Sequence, residues 1–325
     1  MQTEAKAPSP AAPSAWLASF RGLLGLLGAL LALVVLFAAS SEHFLTARTF
    51  TTIANQIPDL LVMAVGMTFV LIAGGIDLSV GSVLALAGSV VSVAVVQWGW
   101  SPPAAALLGI VAAAACGAVN GVVTAAWRIP SFIVSLGMLE IARGLAYRLT
   151  QSRTEYIGGA FDWLGAPLAF GVSPAFLLAF AGTVLAQVVL SRTVFGRHVT
   201  GIGTNEEAMR LAGVDPRPTK VGVFMLTGAL AGVASLFQLA RLEAADPNAG
   251  IGVELQVIAA VVIGGTSLMG GRGSIVSTFL GVVIIAVLEA GLAQIGTSEP
   301  AKRIITGAVI VLAVVLDTYR SRARR

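Results

Sequence analysis

Charge is what this sequence has least of. Only 11% of its 325 residues are Asp, Glu, Lys or Arg, against about a quarter in a typical soluble domain, and so small a fraction cannot cover a water-facing surface. The single cysteine, Cys116, excludes an intrachain disulfide, and His43 and His198 are too few and too far apart for a metal cage. Catalytic machinery is missing too: no Ser/His/Asp or Cys/His set can be assembled, because no nucleophile has a base near it. The stretch Gly213–Lys220 has Pro218 where a phosphate loop needs its second glycine and lacks the Lys-Ser/Thr pair. Gly201-x-Gly203 is followed by Glu206 where a dinucleotide fingerprint needs glycine. Neither segment is built to bind nucleotide.

Apolar residues, by contrast, make up 57% of the chain. They come in uninterrupted blocks of about 17 to 25, the length a helix needs at 1.5 Å per residue to cross roughly 30 Å of hydrocarbon. Lipid is therefore the solvent, and the chain reads as an all-α integral membrane protein. Spans are expected at Leu23–Ala39, Ile57–Ala73, Val80–Val96, Ala104–Ala126, Phe132–Leu149, Pro174–Leu190, Val221–Ala240, Leu255–Gly264, Ile275–Ala293 and Ile304–Leu316, about ten crossings. Leu255–Gly264 is too short to cross alone. It is either extended toward Gly250 or a re-entrant half-helix, which a bilayer tolerates only where protein or a cavity satisfies the backbone.

Residues 1–20 read as a disordered cytoplasmic tail, Met1–Ser14 being rich in Ala, Pro and Ser. Leu23–Phe37 is followed by small residues, as in a signal peptide, but the leader carries only Lys6 and Arg21 and the run is long enough to span. Residues 21–318 form the membrane domain, with a cytoplasmic loop at 191–220, and 319–325 a basic cytoplasmic tail. The formal charge of +4 is distributed as a membrane topology distributes it, which leaves nucleic acid no part. With the N-terminus inside, the outer side takes Arg48, Arg148, Arg153, Arg241, Lys302 and Arg303, Arg143 falls within a span, and the remaining Lys and Arg lie inside. Both termini are expected in the cytoplasm.

Gly117-x-x-x-Gly121 and Gly228-x-x-x-Gly232 have the spacing of close helix packing. Gly74-Gly75-Ile76-Asp77-Leu78-Ser79-Val80-Gly81-Ser82 interrupts two apolar runs, and a carboxylate there must be paired, at a membrane face or beside a water-filled path; Asp77 and Ser79 are either turn caps or gate residues. A weaker echo follows at Gly264–Ser274, hinting at internal duplication. Glu140 and Arg143, three apart in an apolar helix, are expected to form an ion pair. Asn120 is either interhelical glue or a partner for a ligand hydroxyl. In the 191–220 loop, Thr204-x-x-Glu207 has capping-box spacing and Gly213 and Pro216 stop a helix, so a short polar helix over Asn205–Ala212 is expected, resting on the bundle or on a partner.

The chain resembles, over nearly all of its length beyond the tail, the permeases of ribose, xylose and arabinose-type ABC sugar importers. The likeness is carried by Ala64–Thr68 with Gly74–Gly81, by Asn120-Gly121, by Pro130, Phe132-Ile133 and Leu136–Met138 to Arg143-Gly144, by Gly203–Glu206 through Arg210-Leu211 and Gly213, and by Glu254-Leu255 and Ile258–Ala260 to Gly264–Gly271. The resemblance implies a fold similar to type II importer permeases, pairing with a second permease copy, an ABC ATPase below that binds the ATP and Mg, a soluble sugar-binding protein above, and a small monosaccharide as cargo. It gives Gly203, Asn205, Glu206, Arg210, Leu211 and Gly213 to ATPase coupling and makes Asp77, Ser79, Asn120, Phe132 and Ser135 candidates for the pathway. Two positions depart from the family pattern: Ser135 stands where Thr is usual, and Ala290 where Asn often follows the Glu289 position. A stand-alone secondary transporter is the competing reading, but ion coupling usually needs several intramembrane ionisable groups and acids are few in or beside the spans, Asp77, Glu140 and Glu289 being the candidates weighed. An intramembrane enzyme would need the catalytic set the chain lacks.

Overall fold

A computed structural model describes residues 15–322; Met1–Ser14 and the last three residues of the basic tail lie outside it. In chain order the helices are α1 (Ala15–Ser40), α2 (Ala47–Gln56), α3 (Pro58–Ile72), α4 (Val80–Val96), α5 (Pro102–Trp127), α6 (Ser131–Thr150), the single turn α7 (Asp162–Gly165), α8 (Pro174–Arg192), α9 (Val194–Leu211), α10 (Pro216–Leu242), α11 (Val253–Ile263), α12 (Ile275–Gln294) and α13 (Glu299–Arg322). Each expected span falls on one of these helices. Residues 15–20, expected in the tail, instead begin α1. The only pairing of strands among the described residues is a two-residue antiparallel ribbon, β1 (Glu155–Tyr156) with β2 (Ala244–Ala245), in register Glu155 to Ala245.

Five of these helices are individually long and apolar enough to cross a membrane, and six if α2 and α3, bent by 50° at Ile57 and Pro58, form one span. Helix α3 is the axis of the molecule: Leu61, Met63, Ala64, Met67, Phe69, Val70 and Leu71 are all buried. Such an all-round apolar helix has no lipid-facing side, so other helices must surround it. Helix α10 packs along α5 through the two glycine pairs. A Cβ on Gly121 would lie 2.7 Å from the Val221 Cα and one on Gly232 2.8 Å from the Ile110 Cα, so these backbones touch where only glycine fits.

Helix α11 settles the open choice for the eighth span. Gly250 and Gly252 both have left-handed φ, 74° and 82°, which an α-helix cannot contain. The helix therefore starts at Val253 and runs for 11 residues, half a crossing, joined to a non-helical segment over 246–252.

Candidate functional site

Two non-helical breaks lead into the short apolar helices α4 and α11, and the candidate pathway residues gather at the first. The first break is the extended segment between α3 and α4. Outside a helix its N–H groups need partners, and α6 supplies them: Ser131 Oγ accepts from Ile76 N at 2.8 Å and Ser135 Oγ from Leu78 N at 3.0 Å. Residues two apart in an extended chain and four apart on a helix are both separated by roughly 6–7 Å, so two hydroxyls one turn apart match alternate amides of the segment. A Thr at position 135 would carry the same oxygen, which explains how Ser135 departs from the family pattern without loss of the contact. Asp77 Oδ1 accepts from Ser79 N at 2.9 Å and Ser79 Oγ at 2.6 Å, and Asn120 Nδ2 donates to Ser79 Oγ at 3.0 Å. Asp77, Ser79, Asn120 and Ser135 are all buried; the structure brings these four together. Asp77 thus closes a turn on Ser79 just ahead of α4, whose N-cap position makes no side-chain cap bond, while Asn120 Oδ1 and, one turn on, Thr124 Oγ1 are buried without a partner. Phe132 stands apart, 45% exposed on the outer side of α6.

The second break, 246–252, is fastened to the other end of α6. Here the expected Glu140–Arg143 pair is corrected: Arg143 Nη1 donates to the carbonyls of Pro247 and Ala249, the latter at 2.7 Å, and Glu140 is exposed. The reason is that a non-helical segment leaves carbonyls unpaired, and the two hydrogens of Arg143 Nη1 satisfy two of them at once. Tyr147, one turn beyond Arg143, donates to Asn248 Oδ1 at 2.8 Å. Glu289 accepts from Gln256 Nε2 at 3.0 Å across α11 and α12, and Asp59 in the first turn of α3 pairs with Arg241 Nη2 at 2.8 Å.

The breaks meet each other. A Cβ on Gly81 would collide with the Gly250 carbonyl and lie 2.8 Å from Glu254 Oε2, so the start of α4 abuts the residues that open α11. From that meeting point the two helices run to opposite ends. Helix α4 ends at the β ribbon, where Gln97 Nε2 donates to Glu155 Oε1 at 2.7 Å. Helix α11 ends at Gly264, beside Ser277 and Thr278 at the start of α12. Broken helices of this kind in opposite orientation mark the moving parts of many transporters.

The 191–220 segment holds the third element. Helix α9 contains one non-helical residue, Asn205, at φ −162° and ψ 99°. Asn205 Oδ1 accepts from Ala208 N at 3.0 Å, whereas Thr204 Oγ1 donates back to Thr200 O at 2.8 Å. The cap of the short helix is therefore Asn205, one residue later than Thr204, because Thr204 still belongs to the preceding helical run. Glu206 is bound to Lys220 Nζ at 2.6 Å and Glu207 to Arg210 Nη1 at 3.2 Å. Gly213, at φ 84°, closes the helix: its N–H donates to Arg210 O and that of Val214 to Met209 O, both at 3.0 Å, a Schellman end. Leu211 is 82% exposed at the tip. Between this helix, the Gly74–Gly75 break and the turn from Arg128 to Ser131 lies a cavity of about 740 Å³, with Thr124, Arg217 and Lys220 on its wall.

Residues 49–314 match the family described as the branched-chain amino acid transport system, permease component. The chain belongs to this family of transport permeases. The permease is 38% identical over 313 residues to the ribose import permease protein RbsC of Escherichia coli strain K12, covering 94% of this chain and 95% of the relative. It is 35% identical over 333 residues to the L-arabinose ABC transporter permease protein AraH of Azospirillum brasilense, covering 100% and 98%. It is 31% identical over 289 residues to the fructose import permease protein FrcC of Rhizobium meliloti, covering 85% and 79%. No solved structure matches the chain. The family and the apolar helices make it a multi-pass inner-membrane permease rather than an enzyme. Ser131, Tyr147 and Lys220 were not singled out from the sequence, although Ser131 and Ser135 carry a visible signal, two hydroxyls at i and i+4 on an apolar helix.

Proposed function

We propose that this permease is the membrane subunit of an ABC importer that admits a small monosaccharide, a ribose-like pentose or a hexose, driven by ATP bound with Mg on a separate ATPase. The observation that carries the reading is the short helix over 206–211: capped at both ends and tipped by an exposed Leu211. A capped helix that is polar along its length and carries Leu211, 82% exposed, at its tip fits a docking element outside the bilayer. The sugar class rests on the names of the full-length relatives, which import ribose, arabinose and fructose.

A second copy of the chain is the natural neighbour of α6. Its outward face exposes Ile133, Leu136, Gly137, Ile141 and Gly144 around Glu140, and a carboxylate facing hydrocarbon costs about 2.5–3.5 kcal/mol. Facing a hydrated path between two copies removes that cost. A soluble sugar-binding protein would deliver cargo at the β-ribbon end, and both termini would be cytoplasmic.

The test is a cysteine at Ala208, exposed beside the tip, in a Cys116→Ala background with the neighbouring ATPase co-expressed. Met209 is the poorer choice because its sulfur folds back onto Gly201. Crosslinking of Ala208→Cys to the ATPase, with uptake of labelled ribose, arabinose or fructose by the unmodified complex, is the expected result. Crosslinking only to the external binding protein, or uptake of none of the three, would sink the corresponding half of the proposal.

A further inference from the structure

Directly behind the proposed docking helix, four glycines from three separate stretches of chain converge. Gly203, two residues before the break at Asn205, lies so close to the end of α3 that a Cβ on it would overlap the Ile72 carbonyl oxygen and come within 2.7 Å of Gly271 N. A Cβ on Gly270 would be 2.8 Å from Gly203 O and 3.1 Å from the Gly74 Cα. One hydrogen bond ties the last two stretches together, Gly271 N donating to Ile72 O at 2.8 Å. Gly74 opens the first break, and Gly270 and Gly271 close the loop that follows α11, the helix after the second. At Gly203 and Gly270 backbone meets backbone, and such a contact has no soft rotamer to absorb a displacement.

We infer that Gly203 is a positioning residue, the point at which the cytoplasmic helix bears on the elements flanking both breaks at once, so that a displacement of the helix moves the Gly74 break and the Gly270–Gly271 loop together. This rests on the docking role proposed above for residues 206–211. Asn205 is the only non-helical residue between the docking helix and the run that ends on Gly203, and it is short and fixed by its own cap bond. A push at Leu211 therefore reaches Gly203 through one residue rather than through a slack loop. From there it divides: through Ile72 and Gly74 to the segment held by Ser131 and Ser135, and through Gly270 and Gly271 back to α11, whose far end meets Gly81. A two-state element biased at both breaks is what physical coupling between distant sites requires.

Two variants of the full complex test this: Gly203→Ala, and an insertion of two glycines between Thr204 and Asn205. The first wedges the junction; the second leaves junction and docking helix intact but slackens the link between them. Gly182→Ala, at a glycine with open space around it, serves as control. We expect both variants to co-purify with the ATPase and to keep hydrolysing ATP, while uptake of the sugar imported by the unmodified complex falls about tenfold, within the range by which residues between sites tune coupling. Uptake within about twofold of the unmodified level in the insertion variant would overturn the inference, and so would a loss of uptake that merely tracks membrane abundance. Should Gly203→Ala fail to accumulate, the insertion alone decides. If the Ala208→Cys crosslink to the ATPase is absent, the docking reading has failed. If the crosslink forms and the slackened chain still transports, only the role of Gly203 has failed.

Discussion

Arg143 offers the sharpest test of how the second break is held. Its guanidinium donates to two carbonyls of a segment that has no helical partners for them, Pro247 and Ala249. Charge-assisted hydrogen bonds contribute about 1.5–3 kcal/mol each in soluble proteins, but interhelical bonds in membranes average only about 0.6. The side chain is partly exposed, which argues for the middle of that range, so Arg143→Met should destabilise the permease by about 3 kcal/mol, roughly a hundredfold in the folding equilibrium. Arg143→Lys should recover part of the loss, because a single ammonium nitrogen can donate to both carbonyls as Nη1 does, provided the shorter side chain reaches them. The measurement is reversible unfolding in mixed micelles, run as two double-mutant cycles. Arg143 with Tyr147→Phe, both acting on the 247–249 segment, should couple by about 1 kcal/mol; Arg143 with Glu140→Gln should couple by less than about 0.5. A larger Glu140–Arg143 coupling would restore the ion pair that the sequence suggested and refute the carbonyl clamp.

Three further outcomes are expected. Ser135→Thr should leave uptake unchanged and Ser135→Ala should lower it, with about 1–2 kcal/mol lost by stranding the Leu78 amide, read as reduced thermal stability of the purified complex. Asn205→Ala should speed hydrogen exchange at the amides of 206–211 by about fivefold, the equivalent of roughly 1 kcal/mol of capping, whereas Thr204→Ala should not. Glu206→Lys and Lys220→Glu should each weaken recovery of the ATPase with the permease, and the double swap should restore part of it; equal loss in the double swap would mean that Glu206 serves the partner and not Lys220.

The apolar spans were legible because their signal is collective, whereas α2 and the first part of α9, polar and short, were not. A long apolar run needs no partner to declare itself, and the glycine pairs at Gly117–Gly121 and Gly228–Gly232 declare their packing by spacing alone. The polar site was legible in its members but not in its bonds. Asp77, Ser79, Asn120 and Ser135 stand out as polar in apolar surroundings, yet nothing local shows that Ser135 bonds the Leu78 amide 57 residues away. The Glu140–Arg143 expectation failed for the same reason. Helical spacing makes neighbours of residues three apart, but the stronger acceptors for Arg143 lie 104 and 106 residues along the chain. The cap was misplaced by one residue because Thr204 and Asn205 are both good caps, and only the backbone break at Asn205 decides between them.

The manner in which the breaks are held bears on how such a molecule can move. Within a helix each amide is tied to a carbonyl four residues away, and shifting one residue disturbs the whole run. The segments 73–79 and 246–252 have only a few turn bonds of their own and are tied to the bundle largely by side chains, those of α6 being Ser131 and Ser135 on one and Arg143 and Tyr147 on the other. Side-chain bonds can exchange singly, so these segments can shift without unfolding a helix. Because a single helix carries both sets of bonds, and because α4 and α11 abut at Gly81 and Gly250, a change at either break alters the footing of the other. A change at the Gly74 end and a change at the ribbon end are thereby linked through α6, and linked breaks at opposite ends of a bundle are a condition for opening one end while closing the other.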